Sequence, residues 1–332
     1  MAENSKLKIL YILDVMRKTD INNPLNVTQI VKKLEGYGIN AERKSVARDL
    51  ACLEDAGYCI LKCDNHNQGF YMVDQEFEDY ELKLLADAVA SAAFLDMEDS
   101  RRLLKKLKNL ATKEGERIID STIVIDEMIK TEDKKFKLKY DLIMRAISDQ
   151  QQVEFQYRDL SKGDKKIYLR GGHVYKISPY FIVPSGNAYY MIGATASHDH
   201  VLHFRVQLME NIKVTSTKAR SKVELVEFKE LGNKKTIDQY LRENINMWTG
   251  ETITVKLRGD NTIRFDLLRR FGKNLQFKNI TETEFVVEVD ITNSPGLCQW
   301  LAAFGEHVSI IEPEEVRQEF VEYMNKCLAR YK

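Results

Sequence analysis

The sequence predicts an α+β chain of several domains, on three observations. Its 332 residues are too many for one ordinary hydrophobic core. Apolar residues recur at the helical period of 3.6 up to about residue 147 and then switch to strand-like alternation. From about residue 251, short alternating stretches are interleaved with helical ones, the pattern of an α+β unit. These changes divide the chain into segments 1–75, 76–135, 136–217 and 218–332.

Composition narrows the classes open to such a chain. Charged residues make up 30% of it, with 50 Lys and Arg against 50 Asp and Glu, and no run of about 18 apolar residues interrupts them, so no membrane span is expected. Met1 to Lys8 has lysines but no apolar stretch, which predicts no secretory signal. The five cysteines are odd in number, scattered and without CxxC spacing, so they are expected to be reduced and mostly core thiols of a cytoplasmic protein, with Cys59 and Cys63 too isolated for a zinc site. Segment 1–75 is electrically balanced and 76–135 is net acidic, while 136–217 carries eleven cations against seven carboxylates. A neutral total argues against indiscriminate polyanion binding and still allows a local basic face.

Within 1–75, a first helix from about Leu7 to Arg17 is apolar on most sides and is expected to be buried on more than one. Thr28 is placed to cap a short helix over Gln29 to Glu35, which Gly36-Tyr37-Gly38 ends. A third helix, Glu42 to Asp55, puts Val46, Leu50 and Leu53 on one stripe and Lys44, Ser45, Ala47, Arg48 and Ala51 opposite, with Arg43 at the edge. Cations and a hydroxyl between small side chains suit close approach to a groove, with Arg and Lys reaching phosphates or guanine edges. The hairpin Tyr58 to Met72 then supplies a wing whose polar loop holds His66 and Asn67. Helix, capped helix, turn, longer helix and hairpin make a winged helix-turn-helix. The expected DNA contacts are Thr28, Gln29, Arg43, Lys44, Ser45, Arg48, His66 and Asn67. The bland alternative is a small helical domain with a solvated face.

The stretch Ala41 to Tyr58, with Arg48-Asp49-Leu50, Leu53 and Gly57, resembles the recognition helix of the DeoR-like winged helices in WYL-domain regulators. Residues 76–135 hold two helical stretches, one through Leu82, Leu85, Val89 and Ala92, the other through Leu103, Leu107 and Leu110. Being acidic, this helical linker is expected to stay off DNA and to carry dimer contacts or transmit a change.

After a helix from Tyr140 to Ile147, strands at Val153–Tyr157, His173–Ile177 and Ala188–Gly193 with turns between them indicate a small barrel or sandwich. Ile177-Ser178-Pro179-Tyr180, Tyr189-Tyr190-Met191 and His203-Phe204-Arg205-Val206 resemble the WYL domain, named for a triplet that relaxes to aromatic-Tyr-aliphatic. The resemblance implies a small Sm-like β-barrel with a ligand site for nucleotide-like anions or single-stranded nucleic acid. It maps that site onto Tyr190 and Arg205, with Ser178 and Tyr180 beside them; Tyr189 and His203 complete the expected effector set. Aromatic faces stack bases and Arg pairs with phosphate. Where the family has Asp then Arg after this motif, the chain has Gln207 and Leu208. His198, His200 and His203 are too few and too turn-like for a metal site, so no metal or cofactor is expected.

Residues 218–250 form a connection with a helix near Ile237 to Glu243, before strands at Thr252–Leu257, Phe285–Val289 and Val308–Ile311 and helices near Ile263–Phe271, Leu297–Phe304 and Glu314–Tyr331. Arg270-Phe271-Gly272, Gln299-Trp300-Leu301 and Glu312-Pro313 resemble the C-terminal extension of WYL regulators. No nucleophile elbow, Walker loop, Rossmann glycine motif or metal-binding helix pair supports an enzyme. The expectation is therefore a homodimeric regulator of transcription that binds double-stranded DNA and senses an effector. An accessory factor sensing nucleic acid, or an adaptor whose winged helix contacts protein, is the alternative.

Overall fold

The computed structural model describes residues 2–63, 69–163, 167–226 and 237–332, which form two compact units, 1–134 and 135–332. In the first, α1 (Ala2–Met16), α2 (Val27–Gly36), α3 (Arg43–Asp55) and a hairpin of β1 (Ile60–Lys62) and β2 (Phe70–Met72) enclose one core. Ile12 and Met16 of α1 meet Ile30 and Leu34 of α2 and the Val46, Leu50, Leu53 stripe of α3, all buried. The hairpin is pinned to the α1–α2 connection by paired bonds, Leu25 N–H to Phe70 O at 2.9 Å and Phe70 N–H to Leu25 O at 2.8 Å. Gly69 permits that approach, since a Cβ there would lie 2.7 Å from Pro24 Cβ.

Two local expectations are corrected. The cap of α2 is Asn26, not Thr28: the Asn26 side chain accepts from Gln29 N–H at 2.9 Å, and the Gln29 amide oxygen accepts from Asn26 N–H at 2.8 Å. Asn26 and Gln29 satisfy the three-residue spacing of a reciprocal capping box, and Thr28, inside the helix, is exposed. Helix α1 is not buried on several sides: Leu7 and Leu10 are exposed, while Ile12 and Met16 are buried in the core that α1 shares with α2, α3 and β2. The cysteines also depart from expectation: Cys52 and Cys59 are exposed and the other three half-buried.

Helices α4 (Asp79–Ser91), α5 (Met97–Leu110) and α6 (Lys113–Thr122) complete the unit around Leu82, Ala86, Leu104, Ala111 and Ile119. Leu85 and Leu110, expected on the apolar stripe, are exposed, and the stripe is carried by smaller or neighbouring residues. Helix α6 escaped the sequence pattern, having only two aliphatic residues and an internal glycine. Its start is fixed by Thr112, whose hydroxyl donates to Asp79 at 2.6 Å and accepts from Gly115 N–H at 3.0 Å.

The second unit begins with α7 (Phe136–Ser148), which lies against a five-stranded antiparallel sheet of β3 (Gln151–Tyr157), β4 (Val174–Ser185), β5 (Ala188–Ala194), β6 (Leu202–Arg205) and β7 (Met209–Lys218). Their order is β6-β5-β4-β3-β7. Strand β6 lies three places from β3, about 14 Å away in a flat sheet. Yet Phe204 of β6 packs edge-on against Phe155 of β3 with centroids 4.9 Å apart, so the sheet curls on itself as an open barrel with an aromatic interior. Strand β4 runs well beyond the expected His173–Ile177, with a register shift between Pro179 and Phe181 that accommodates the proline.

A short helix, α8 (Ile237–Glu243), precedes a second sheet of β8 (Thr252–Asp260), β9 (Phe277–Asn279), β10 (Glu284–Thr292) and β11 (Val308–Glu312) in the order β11-β8-β10-β9. With α9 (Arg264–Phe271), α10 (Pro295–Ala302) and α11 (Glu314–Leu328), this is a βαββαβ arrangement with one extra helix. Alternation sets its core face, Val255 and Leu257 on β8 beside Phe285, Val287, Val289 and Ile291 on β10.

A methyl group at position 115 tests the α4–α6 junction. An added Cβ there would fall 2.1 Å from the Asp79 carboxylate that holds Thr112. Gly115→Ala is expected to cost about 1–3 kcal/mol despite the better helix propensity of alanine, measured by urea denaturation.

Candidate DNA-binding face and effector site

Helix α3 has a buried side, a clamped edge and an open face. On the edge, Lys8 of α1, itself 8% exposed, pairs with Asp49 at 2.8 Å and donates to the Ser45 hydroxyl. Ser45 and Asp49 are one turn apart, so one ammonium fixes the rotation of α3 about its axis. Ser45, expected on the groove side, is half-buried and turned to this clamp. The open face carries Arg43, Lys44, Ala47, Arg48 and Ala51, all exposed. Among the described residues, Arg43, Lys44 and Arg48 make no ion pair. Thr28 and Gln29 are exposed at the start of α2, with the Gln29 amide oxygen committed to the cap. His66 and Asn67 lie outside the described residues.

In the curled sheet, Tyr190 of β5 stands opposite Arg205 of β6 in register, which puts both side chains on one face. Tyr189 points to the other face, where it meets Phe136 and Tyr140 of α7 at centroid distances of 5.7 and 5.3 Å. Tyr157, at the end of β3, accepts from the backbone N–H of Arg205 at 2.9 Å. Burial drives its pKa up to about 12, outweighing that hydrogen bond, so the phenol stays neutral. The Arg205 Nε–H is buried without a partner among the described residues, as are Arg158 Nε and Gln207 Oε1. These two short segments are joined by Arg158 N–H to Leu208 O at 2.9 Å. Orphaned donors of this kind are costly unless another group satisfies them.

The remaining effector candidates have structural partners. Ser178 is fully buried and its hydroxyl accepts from Arg220 N–H at 2.9 Å. Tyr180 packs in an apolar cluster with Ile192, Leu225 and Tyr240, and burial raises its pKa. His203 lies between Met247 O, 2.8 Å from Nδ1, and the Tyr240 hydroxyl, 2.8 Å from Nε2. A carbonyl only accepts, so Nδ1 carries the proton and Nε2 accepts from Tyr240. The imidazole thereby ties β6 to α8 and the turn after it. His198 bonds Thr195 and Ser197 in a turn, and no group of three or more His, Cys, Asp or Glu with metal-holding geometry occurs among the described residues. None of their helices is long and apolar enough to cross a membrane.

A family model described as the WYL domain matches residues 139–214, which contain most of α7 and nearly all of the curled sheet. The chain carries a WYL domain. A second model, the WCX domain, matches residues 251–328, the βαββαβ unit with α11. All six effector candidates thus fall within the WYL domain, on β4, β5 and β6. Among solved structures, the chain is similar to the proteasome accessory factor B/C (PafBC) of Arthrobacter aurescens, at 16% identity and a TM-score of 0.30, over 91% of this chain and 46% of that one. The chain therefore spans less than half the length of that protein. It is also similar to a structure titled as a CRISPR Cas-related protein, at 12% identity and a TM-score of 0.40, over 78% of this chain and 75% of that one. No curated protein matches.

Sequence reasoning missed Lys8, Tyr157 and Arg158. Tyr157 was within reach, because the alternation from Val153 through Phe155 puts it on the same face. Lys8 was not, since one lysine on an apolar helix gives no sign of its partner across the fold.

The burial of His203 makes WYL-domain stability depend on pH. Burial lowers its pKa below the ordinary 6.5, against the Met247 hydrogen bond that raises it. Between the lowered value and about 6.5 the unfolded chain binds the proton and the folded chain does not, so the contribution is complete above about 6.5 and is lost as pH falls through that window. The urea midpoint of the wild type is expected to fall more between about pH 7.5 and 5.5 than that of His203→Gln.

Proposed function

We propose that the chain is a regulator of transcription whose α3 enters the major groove of double-stranded DNA and whose WYL domain senses an anionic effector. The observation that carries this reading is the open face of α3, three cations without an ion pair among the described residues beside the small Ala47 and Ala51. Unpaired arginines lose less on meeting phosphate or guanine than arginines already held by carboxylates, and small residues let the helix axis approach the base edges. The winged-helix order of elements and the resemblance of Ala41 to Tyr58 to recognition helices of WYL regulators support the same assignment. Such a protein needs no catalytic group, and its role is binding rather than turnover. A two-fold homodimer on a palindromic site is the expected assembly.

On a captured genomic duplex, Arg48→Ala is expected to weaken affinity about tenfold and to lower the slope of log affinity against log salt by about one. Unchanged affinity and slope would make the α3 face ordinary surface and favour an adaptor that contacts protein.

For the effector, the buried Arg205 donor beside Tyr157 and Tyr190 suits a phosphate with an attached base, the base stacking on an aromatic face. A mononucleotide panel and a short single-stranded oligonucleotide serve as probes in thermal unfolding. At least one is expected to stabilise the wild type and to lose that effect in Arg205→Ala, whose backbone bond to Tyr157 is retained. A ligand that stabilises both proteins equally would remove Arg205 from the site.

A further inference from the structure

Within the first unit, the start of α2 and the α5–α6 junction enclose a polar cavity of about 400 Å³. Three lysines line it, Lys18, Lys33 and Lys113, along with Asn22, Asn23 and Asn26, and no carboxylate does. Lys18 has its donors taken up by the fold: its ammonium donates to Lys108 O at 3.3 Å, Ala111 O at 3.0 Å and Asn109 O, carbonyls at and just beyond the negative end of α5. The nearest acid in sequence, Asp20, is turned to its own loop, accepting from Asn22 N–H at 2.8 Å and Asn23 N–H at 2.9 Å. Glu114, beside Lys113, is held by Arg117 Nε at 3.0 Å.

That leaves Lys33, in the last turn of α2, and Lys113, at the first position of α6. Neither has an ion pair among the described residues, and both line the same cavity. Two ammonium groups have donors only, so while both are charged this proximity is purely repulsive. Burial, followed by the charge of Lys113, lowers the Lys33 pKa. Lys113 also sits at the positive end of its helix, the unfavourable end for a cation. A bound oxyanion turns each of these costs into a favourable contact.

We propose that this cavity is a phosphate site, in which one phosphate group bridges Lys33 and Lys113 and thereby links the winged helix to α6. The volume exceeds a bare phosphate, so a phosphate carrying an ester substituent is accommodated. Two sources share this chemistry, a small phosphorylated molecule and the backbone of nucleic acid. The site is separate from the α3 face and does not depend on the function proposed above.

The test uses the full chain, with inorganic phosphate as probe and ionic strength matched with chloride. Phosphate is expected to raise the unfolding temperature of the wild type saturably. Lys33→Gln and Lys113→Gln should each weaken the apparent affinity at least about tenfold, as expected for loss of a charge-assisted contact. Both variants relieve the repulsion, so in chloride they should be at least as stable as the wild type, which guards against misfolding as the explanation. Lys32→Gln, exposed and outside the cavity lining, should behave as the wild type. The proposal is overturned if phosphate stabilises no more than chloride, or if the double variant K33Q/K113Q responds as the wild type does. Competition with duplex DNA separates the sources. Phosphate that displaces duplex from the wild type but not from K33Q/K113Q identifies the nucleic-acid backbone, and independent binding identifies a small phosphorylated molecule. Should no duplex bind at all, the phosphate arm still decides the site.

Discussion

Lys8 sits on α1, almost removed from water, and holds Ser45 and Asp49 on the same edge of α3. A nearly buried ammonium is costly unless it is paired, so this contact discriminates strongly among rotations of α3. The apolar stripe of Val46, Leu50 and Leu53 tolerates some rolling on a greasy surface, whereas a point charge does not. The clamp also withdraws the one acid in the middle of the helix from its exposed side. Arg48, next to Asp49 in sequence, is therefore not neutralised by it, because adjacent helical residues point about 100° apart.

The WYL domain uses aromatic packing for a comparable purpose. Phe155, Tyr157, Tyr175 and Phe204 form one interior cluster, and closing β6 onto β3 through it carries Arg205 to the Tyr157 hydroxyl. On the outer face, His203 fastens β6 to Tyr240 and Met247. Strand β6 is thus fixed on both faces by its neighbours, and the Arg205 side chain at its end has no hydrogen-bond partner at Nε among the described residues. An edge strand so short has few ladder bonds of its own, so these side-chain contacts set its position.

Much of this was legible in the sequence, for identifiable reasons. The α3 stripe, the alternation in β3 and β5 and the three longer strands alternating with helices after residue 251 are periodic patterns, and periodicity survives without knowledge of partners. What escaped was either short or non-local. Strand β9 has three residues, α6 has two aliphatic ones, and β7 alternates with polar side chains on an edge. Thr28 reads as a cap because it borders the periodic stretch, while the reciprocal spacing of Asn26 and Gln29 is the stronger signal. In the effector set, the Tyr190–Arg205 pair follows from strand register, but no sequence pattern reveals that His203 faces Tyr240 across 37 residues.

A chain with equal numbers of cations and carboxylates must distribute them unevenly to present a basic surface, and the first unit shows how. Several of its carboxylates are engaged within the fold: Asp49 with Lys8, Asp79 with Thr112, Asp99 with Arg102, Asp120 with Lys108 and Glu114 with Arg117. The exposed ion pairs among them add little to stability, but each shortens the range of its field to that of a dipole. Arg43, Lys44, Arg48, Lys33 and Lys113 make no ion pair among the described residues, so no such pairing shortens their field, although the unit as a whole carries more carboxylates than cations. Net charge therefore says little about where cations stand unpaired; the pattern of internal pairing does, and among the described residues it leaves some of them on α3 and at the α2–α6 cavity.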